Sequence, residues 1–405
     1  MTSHHFHFLF RRIFSAATRK GMILLALALT LGLSGCGGNR PVDLPVLGPI
    51  ANGQTAKAKK MLETADANDQ DAEGFTALMY AAQFGNNDLI QFLLSKGAKV
   101  NTANDKGMTA LMLAVSNKHP ETVKILLNAK ADINQKNKDG GTALMLAATK
   151  DASLVKLLLE RGAKLDQEDV DGWTALEFAA VNGQTEAAKL LVSKGIEPGR
   201  RDQFQMTPFM RALAANHPDT AEYFFQTAKP NVNERKANDG WTAIMVCAQS
   251  GAANSIRYLT KKGAKLDEQN PKGYAPLMIA IANKKWEAAL ALLESGADPK
   301  AGKTAADDMR PLQLAAYNGG ADVIRALLKK GMKVDDPVLI ENTKVTALMF
   351  AIISDANEER LATVKALVEN GAAINLTLDG KTLLKQANDR NQSSVADYLR
   401  SKGAK

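Results

Sequence analysis

Few residues of this chain are suited to chemistry, and their settings argue against most of it. Beyond the leader, histidine occurs only as His119 and His217, each before a proline and each following the opening threonine of a recurring segment (Thr109, Thr207) at the same interval. That places both at a helix start, where a capping role is expected rather than catalysis or metal binding. Asp166, Glu168, Asp169 and Asp171 gather before Gly172. A calcium loop with its glycine at Gly172 would need Asp at its first position and Glu at its last. Gln167 and Phe178 stand there, so a solvated turn is expected, with contact to a partner as the alternative. No phosphate-cradling glycine loop, G-x-S-x-G elbow or zinc spacing occurs. Cys247, in Val246-Cys247-Ala248, aligns with small residues on a buried helix face, where a packed inert thiol is expected. These residues predict a protein without enzymatic activity, cofactor, metal site or small-molecule substrate.

Cys36 has a different setting. Residues 1–35 hold Arg11, Arg12, Arg19 and Lys20 and no acid, and Met22 to Leu33 is a short apolar run. A basic segment, an apolar run and small residues before a cleavage point make a secretory signal, and the run is shorter than the ~20 residues of a spanning helix. Leu33-Ser34-Gly35-Cys36 resembles the bacterial lipobox. The resemblance implies diacylglyceryl transfer to the thiol of Cys36, cleavage just before it and acylation of the new amine. Several acyl chains together anchor stably. Gly37, where Asp would favour inner-membrane retention, leans the expectation towards the outer membrane, facing the periplasm. Residues 36–50, with three prolines, are expected to form a flexible tether.

The chain has 405 residues, 51 basic and 43 acidic, for a net charge of +8. The leader accounts for four of the basic residues and no acid, so the remainder carries +4, dispersed among alternating signs. A phosphate-tracking surface is not expected, and nucleic acid is excluded as a partner class. Two cysteines are too few for a disulfide framework.

The elements that position these residues come from a repeat. Gly74-Phe75-Thr76-Ala77-Leu78-Met79 returns from Gly107, Gly140 and Gly172, and in looser form from Gln205, Gly240, Gly273, Asp308, Lys344 and Gly380, at spacings of 32 to 36 residues. Units close alike, as in Leu93-Leu94-Ser95-Lys96-Gly97-Ala98. Within a unit, Thr76 is placed to cap a helix, Ala77, Leu78, Ala81 and Ala82 give it a small-residue face, and Leu89, Ile90, Leu93 and Leu94 give a second helix a face to bury. Gly97 follows where a helix ends in a left-handed turn. A 33-residue unit with this opening and close resembles the ankyrin repeat. The resemblance covers residues 51–405 and implies a mostly α solenoid of about ten helix-turn-helix units with short β-hairpin-like fingers. The expected organisation is a signal peptide at 1–35, a tether at 36–50, an N-terminal partial capping repeat lacking its first helix at 51–73, nine repeats at 74–379 and a C-terminal capping repeat at 380–405. The histidine of the family's T-P-L-H opening is Met in seven of ten copies, where core packing is expected. Pro230 and Pro337, in the looser copies, mark a bend or a longer finger.

The resemblance also implies an unidentified protein partner on the concave face. There the residue between Gly and Thr projects, as Phe75, Trp173, Trp241 and Tyr274, and Phe84 and Tyr317 end first helices nearby. Trp and Tyr are favoured interface anchors, so these six are the candidate protein-binding residues; packing within the fingers is the competing role. The expectation is a monomeric, lipid-anchored periplasmic binding scaffold. An immunity protein against a toxin, or a stabiliser of a periplasmic enzyme, is the alternative.

Overall fold

The computed structural model describes residues 46–302, 309–340, 343–354 and 359–405. Cys36 and the leader lie outside them. The chain divides into two compact units, residues 37–230 and, for the described part of the other, 231–405. Among the described residues, no helix is long and apolar enough to cross a membrane.

The first unit opens with α1 (Leu47–Ala51) and α2 (Thr55–Met61). Helix pairs follow: α3 (Ala77–Gln83) with α4 (Asn87–Ser95), α5 (Ala110–Ser116) with α6 (Pro120–Asn128), α7 (Ala143–Ala148) with α8 (Ala152–Glu160), α9 (Ala175–Val181) with α10 (Thr185–Ser193), and α11 (Pro208–Ala214) with α12 (Pro218–Ala228). The expected tether is corrected here. Its last residues are helical, because Val46 and Ile50 are apolar at helical spacing and bury themselves against the first repeat. The N-terminal cap therefore keeps a short first helix.

Each first helix starts as the sequence predicts. The hydroxyls of Thr76, Thr109 and Thr142 accept from the backbone N–H of Met79, Met112 and Met145 at 3.3, 3.3 and 3.4 Å. Such a cap contributes about 1 kcal/mol. The methionine side chains turn inward and are buried. Ala81 and Ala82 are fully buried, as are Leu89, Ile90 and Leu93 of the paired helix. Small residues on one helix and long ones on the other let successive pairs stack closely. Polar side chains tie second helices together: Asn86 donates to Thr55 at 2.7 Å, and Thr122 donates to Asn87 at 2.6 Å.

The fingers between pairs are held by a carboxylate or amide at one repeating position. Oδ1 of Asp71, Asn104, Asn137, Asp169 and Asp202 accepts backbone N–H groups two and four residues ahead; Asn104, for example, takes those of Lys106 at 3.0 Å and Met108 at 2.9 Å. Successive fingers are joined by backbone bonds, Asp105 N to Glu73 O at 3.1 Å, Lys138 N to Lys106 O at 3.1 Å and Val170 N to Asp139 O at 3.0 Å. Gly107 allows this approach: its φ is +76°, and a Cβ there would lie 2.7 Å from Lys138 N.

The second unit contains α13 (Ala243–Ser250), α14 (Ala253–Lys261), α15 (Pro276–Ala282), α16 (Trp286–Glu294), α17 (Pro311–Asn318) and α18 (Ala321–Lys329). A hairpin of β1 (Val338–Ile340) and β2 (Thr343–Val345) follows Pro337, with Leu339 opposite Lys344. This is the longer finger expected from the loose copy. Then come α19 (Ala347–Ile353), α20 (Arg360–Val368), the two-residue strands β3 (Thr377–Leu378) and β4 (Lys381–Thr382), α21 (Leu383–Asp389) and α22 (Ser393–Ser401). Trp286 starts α16 and packs on the next pair, its ring 2.7 Å from where a Cβ on Gly320 would stand.

Candidate protein-binding face

The six candidate rings stand on the side of first helices and fingers, but their exposure divides them. Phe84 is the C-cap residue of α3 and is 41% exposed. Phe75 is half-buried, with its ring centroid 5.2 Å from that of Tyr80. The Tyr80 hydroxyl donates to Asp71 Oδ2 at 2.9 Å, so the aromatic pair is fixed to the finger. In the second unit, Trp241 and Tyr317 are half-buried. The Trp241 N–H donates to Asp239 Oδ1 at 3.0 Å, and Tyr317 meets Phe350 edge-on at 6.4 Å.

Trp173 and Tyr274 differ. Trp173 is 3% exposed and Tyr274 is 9% exposed. The Trp173 ring is covered by the guanidinium of Arg211, 4.4 Å from its centroid, and by Phe178 edge-on at 5.4 Å. These two rings pack their fingers and present little area to a partner, so a stripe through all six positions is corrected to Phe75, Phe84, Trp241 and Tyr317. The cause is the neighbouring repeat: Arg211 reaches back over Trp173 because α11 carries arginine where other first helices carry leucine, tyrosine or phenylalanine.

The same neighbourhood holds polar residues whose importance is not apparent from the repeat pattern. Glu177 occupies the position of the usual methionine and is fully buried. Its Oε2 accepts from the Thr174 backbone N–H at 2.8 Å and hydroxyl at 2.6 Å, making a capping box. It also accepts from Arg200 at 3.2 Å, while the other nitrogen of Arg200 reaches Glu168 Oε1 at 2.5 Å. Burial pushes the Glu177 carboxyl above the usual carboxylate range, against the opposing hydrogen bonds and the charge of Arg200. Asp169 is likewise raised by burial, despite donation from Trp173 and Asp171 N–H. Asp202 accepts Arg211 Nε at 2.8 Å and also pairs with its Nη2. The acidic finger is thus largely bound into the protein. The T-x-x-E spacing of Thr174 and Glu177 was the sequence signal for part of this arrangement.

The two histidines lie at helix N-caps, as expected, yet neither side chain caps its helix. His119 Nε2 instead lies 3.0 Å from Gln83 O of the preceding repeat, and its ring covers Gly85; His217 covers Gly183 in the same way. Their role is to join repeats. Cys247 is fully buried, and desolvation pushes its thiol far above the ordinary range. A thiol so placed is not a nucleophile at neutral pH. Among the described residues, no three His, Cys, Asp or Glu side chains are grouped to hold a metal ion.

A family model described as "Ankyrin repeats (3 copies)" matches residues 50–137, 130–202, 209–303, 277–377 and 312–405. The chain belongs to the ankyrin-repeat family. Among curated relatives, this ankyrin-repeat protein is similar to the ankyrin repeat and KH domain-containing protein mask-1 of Caenorhabditis elegans, 28% identical over 229 residues, which is 55% of this chain and 8% of the relative. It is similar to the human transient receptor potential cation channel subfamily A member 1, 25% identical over 229 residues, 55% of this chain and 20% of the relative. Alpha-latrotoxin-Lg1a of Latrodectus geometricus is 28% identical over 100 residues, 24% of this chain and 7% of the toxin. The chain thus spans a fifth or less of these relatives' lengths. What the matches share is the repeat, whose general use is as a scaffold for protein–protein interaction.

Proposed function

We propose that this ankyrin-repeat protein is a non-enzymatic scaffold of the bacterial cell envelope, anchored by lipid at Cys36 and facing the periplasm, that binds a partner protein along its first-helix face. The observation that carries the binding reading is the Phe75–Tyr80 pair with Phe84 beside it in the chain. These rings sit on the finger side of the first repeat without being enclosed by the core, and Phe84 is 41% exposed. Aromatic rings with few rotors lose little entropy when covered by a partner. The anchoring reading rests on Leu33-Ser34-Gly35-Cys36 behind an apolar run.

Two experiments test the parts separately. Capture of a partner from envelope extract by the purified protein should fall in the Phe75→Ala, Phe84→Ala double variant while its helical content stays that of the parent; equal capture by both proteins contradicts the binding face. For the anchor, radiolabelled palmitate should enter the native protein and be absent from Cys36→Ser, and labelling of that variant would contradict the assignment.

A further inference from the structure

We infer that the N-terminal cap of the first unit is a docking surface for anionic lipid headgroups, so that the anchored protein rests this end against the membrane. The inference builds on the proposed lipid anchor at Cys36.

Helix α2 reads Thr-Ala-Lys-Ala-Lys-Lys-Met and contains no acid. Ala58 and Leu62 are its buried residues, while Lys57 and Lys60 are exposed. Lys59 leans across to α4, where its Nζ lies 5.7 Å from the centre of the Phe92 ring and 2.7 Å from Asp88 Oδ2. Lys96 covers the same ring at 5.8 Å. Phe92 is half-buried and Lys96 exposed. The patch therefore sets four ammonium groups around one aromatic ring. Asp88 within it is already paired with Lys59, and Glu63, just past α2, is the nearest acid along the chain. Among the described residues, Lys57, Lys60 and Lys96 have no carboxylate within ion-pair distance.

A terminal repeat needs a polar outer face for solubility alone, and the C-terminal cap shows what that requirement produces. There Tyr398 is also flanked by two lysines, Lys365 and Lys402, each at 5.5 Å. Its cations, however, are accompanied by acids: Arg400 pairs with Asp397 at 2.6 Å, Lys381 and Lys385 both pair with Asp389, and Glu369 bonds the Tyr398 hydroxyl. Polarity at the N-terminal cap is built almost wholly from unpaired positive charge.

Position selects the lipid surface as the occupant. Ten residues separate Cys36 from Val46, a span of at most about 35 Å. A lipid on Cys36 holds this cap, of all parts of the first unit, near the headgroups, where each lysine gains about 1 kcal/mol from an anionic leaflet, a fivefold change in partition. The half-exposed Phe92 ring suits the interfacial layer.

The test uses the mature chain from residue 36 carrying Cys36→Ser, so that no acyl chain contributes. It should sediment with phosphatidylglycerol vesicles at low salt and not with phosphatidylcholine vesicles. Lys57→Gln, Lys60→Gln and Lys96→Gln together should weaken that binding about a hundredfold, with an unchanged far-ultraviolet circular dichroism spectrum. Absence of phosphatidylglycerol binding by the parent, equal binding by the triple variant, or equal binding to both lipids would each overturn the inference. Palmitate labelling of the native chain reports on the anchor independently, so the two readings fail separately.

Discussion

The guanidinium of Arg211 lies 4.4 Å over the Trp173 ring while its Nε donates to Asp202 at 2.8 Å. One side chain of a later repeat thereby closes the finger of an earlier one and withdraws its tryptophan from the surface. Arg211→Ala should leave Asp202 buried without its cation and destabilise the first unit by about 3–5 kcal/mol. Phe84→Ala, at an exposed ring, should cost less than about 0.5 kcal/mol. Urea unfolding followed by circular dichroism compares the two variants, and similar midpoints would contradict the assignment of one ring to packing and the other to the surface.

Much of this architecture was legible in the sequence. The interval between openings, the threonine caps and the glycine after each second helix specify the local geometry, since each acts within a few residues. Burial of Trp173 was not legible, because it depends on Arg211 in the next repeat. The link from Glu168 to Glu177 through Arg200 was hidden for the same reason. The short helix α1 was obscured by the prolines and glycines around it, whose extended character outweighed Val46 and Ile50.

Glu177 supplies a pH signature. Burial raises its carboxyl above the unfolded value, so the folded state holds the proton more tightly. Its contribution to stability is therefore fully present below the unfolded pKa and is lost as pH rises through the folded one. Glu177→Met, which restores the residue common at this position, should remove that loss: relative to the parent, the variant gains stability as pH rises from acid to neutral. Denaturant midpoints measured across that range check the sign, and a parallel pH profile for both proteins would contradict it.

Asp389 moves the other way. Hydrogen bonds from Lys381 and Lys385 lower its carboxyl to about 2 from the ordinary 3.8. The stabilisation from this group is present above the unfolded value and is lost as pH falls through about 2. A carboxyl-detected nuclear magnetic resonance titration should show the low midpoint. Lys381→Ala with Lys385→Ala should return it towards 3.8.

Gly107 tests how the fingers are joined. Its positive φ and the 2.7 Å separation from Lys138 N leave no room for a methyl group. Gly107→Ala should cost about 1–3 kcal/mol and raise amide exchange at Lys138, whose N–H donates to Lys106 O. Unchanged exchange at Lys138 would show that the fingers do not need this contact.

The binding face itself is tested most directly by site-specific crosslinking in the living cell. A photo-reactive phenylalanine analogue is placed at Phe84 on the first-helix side or, in a separate protein, at Lys156 on the exposed side of α8. Illumination should yield a discrete protein adduct from position 84 and none from position 156. No adduct at 84, or the same adducts from both positions, would contradict the account.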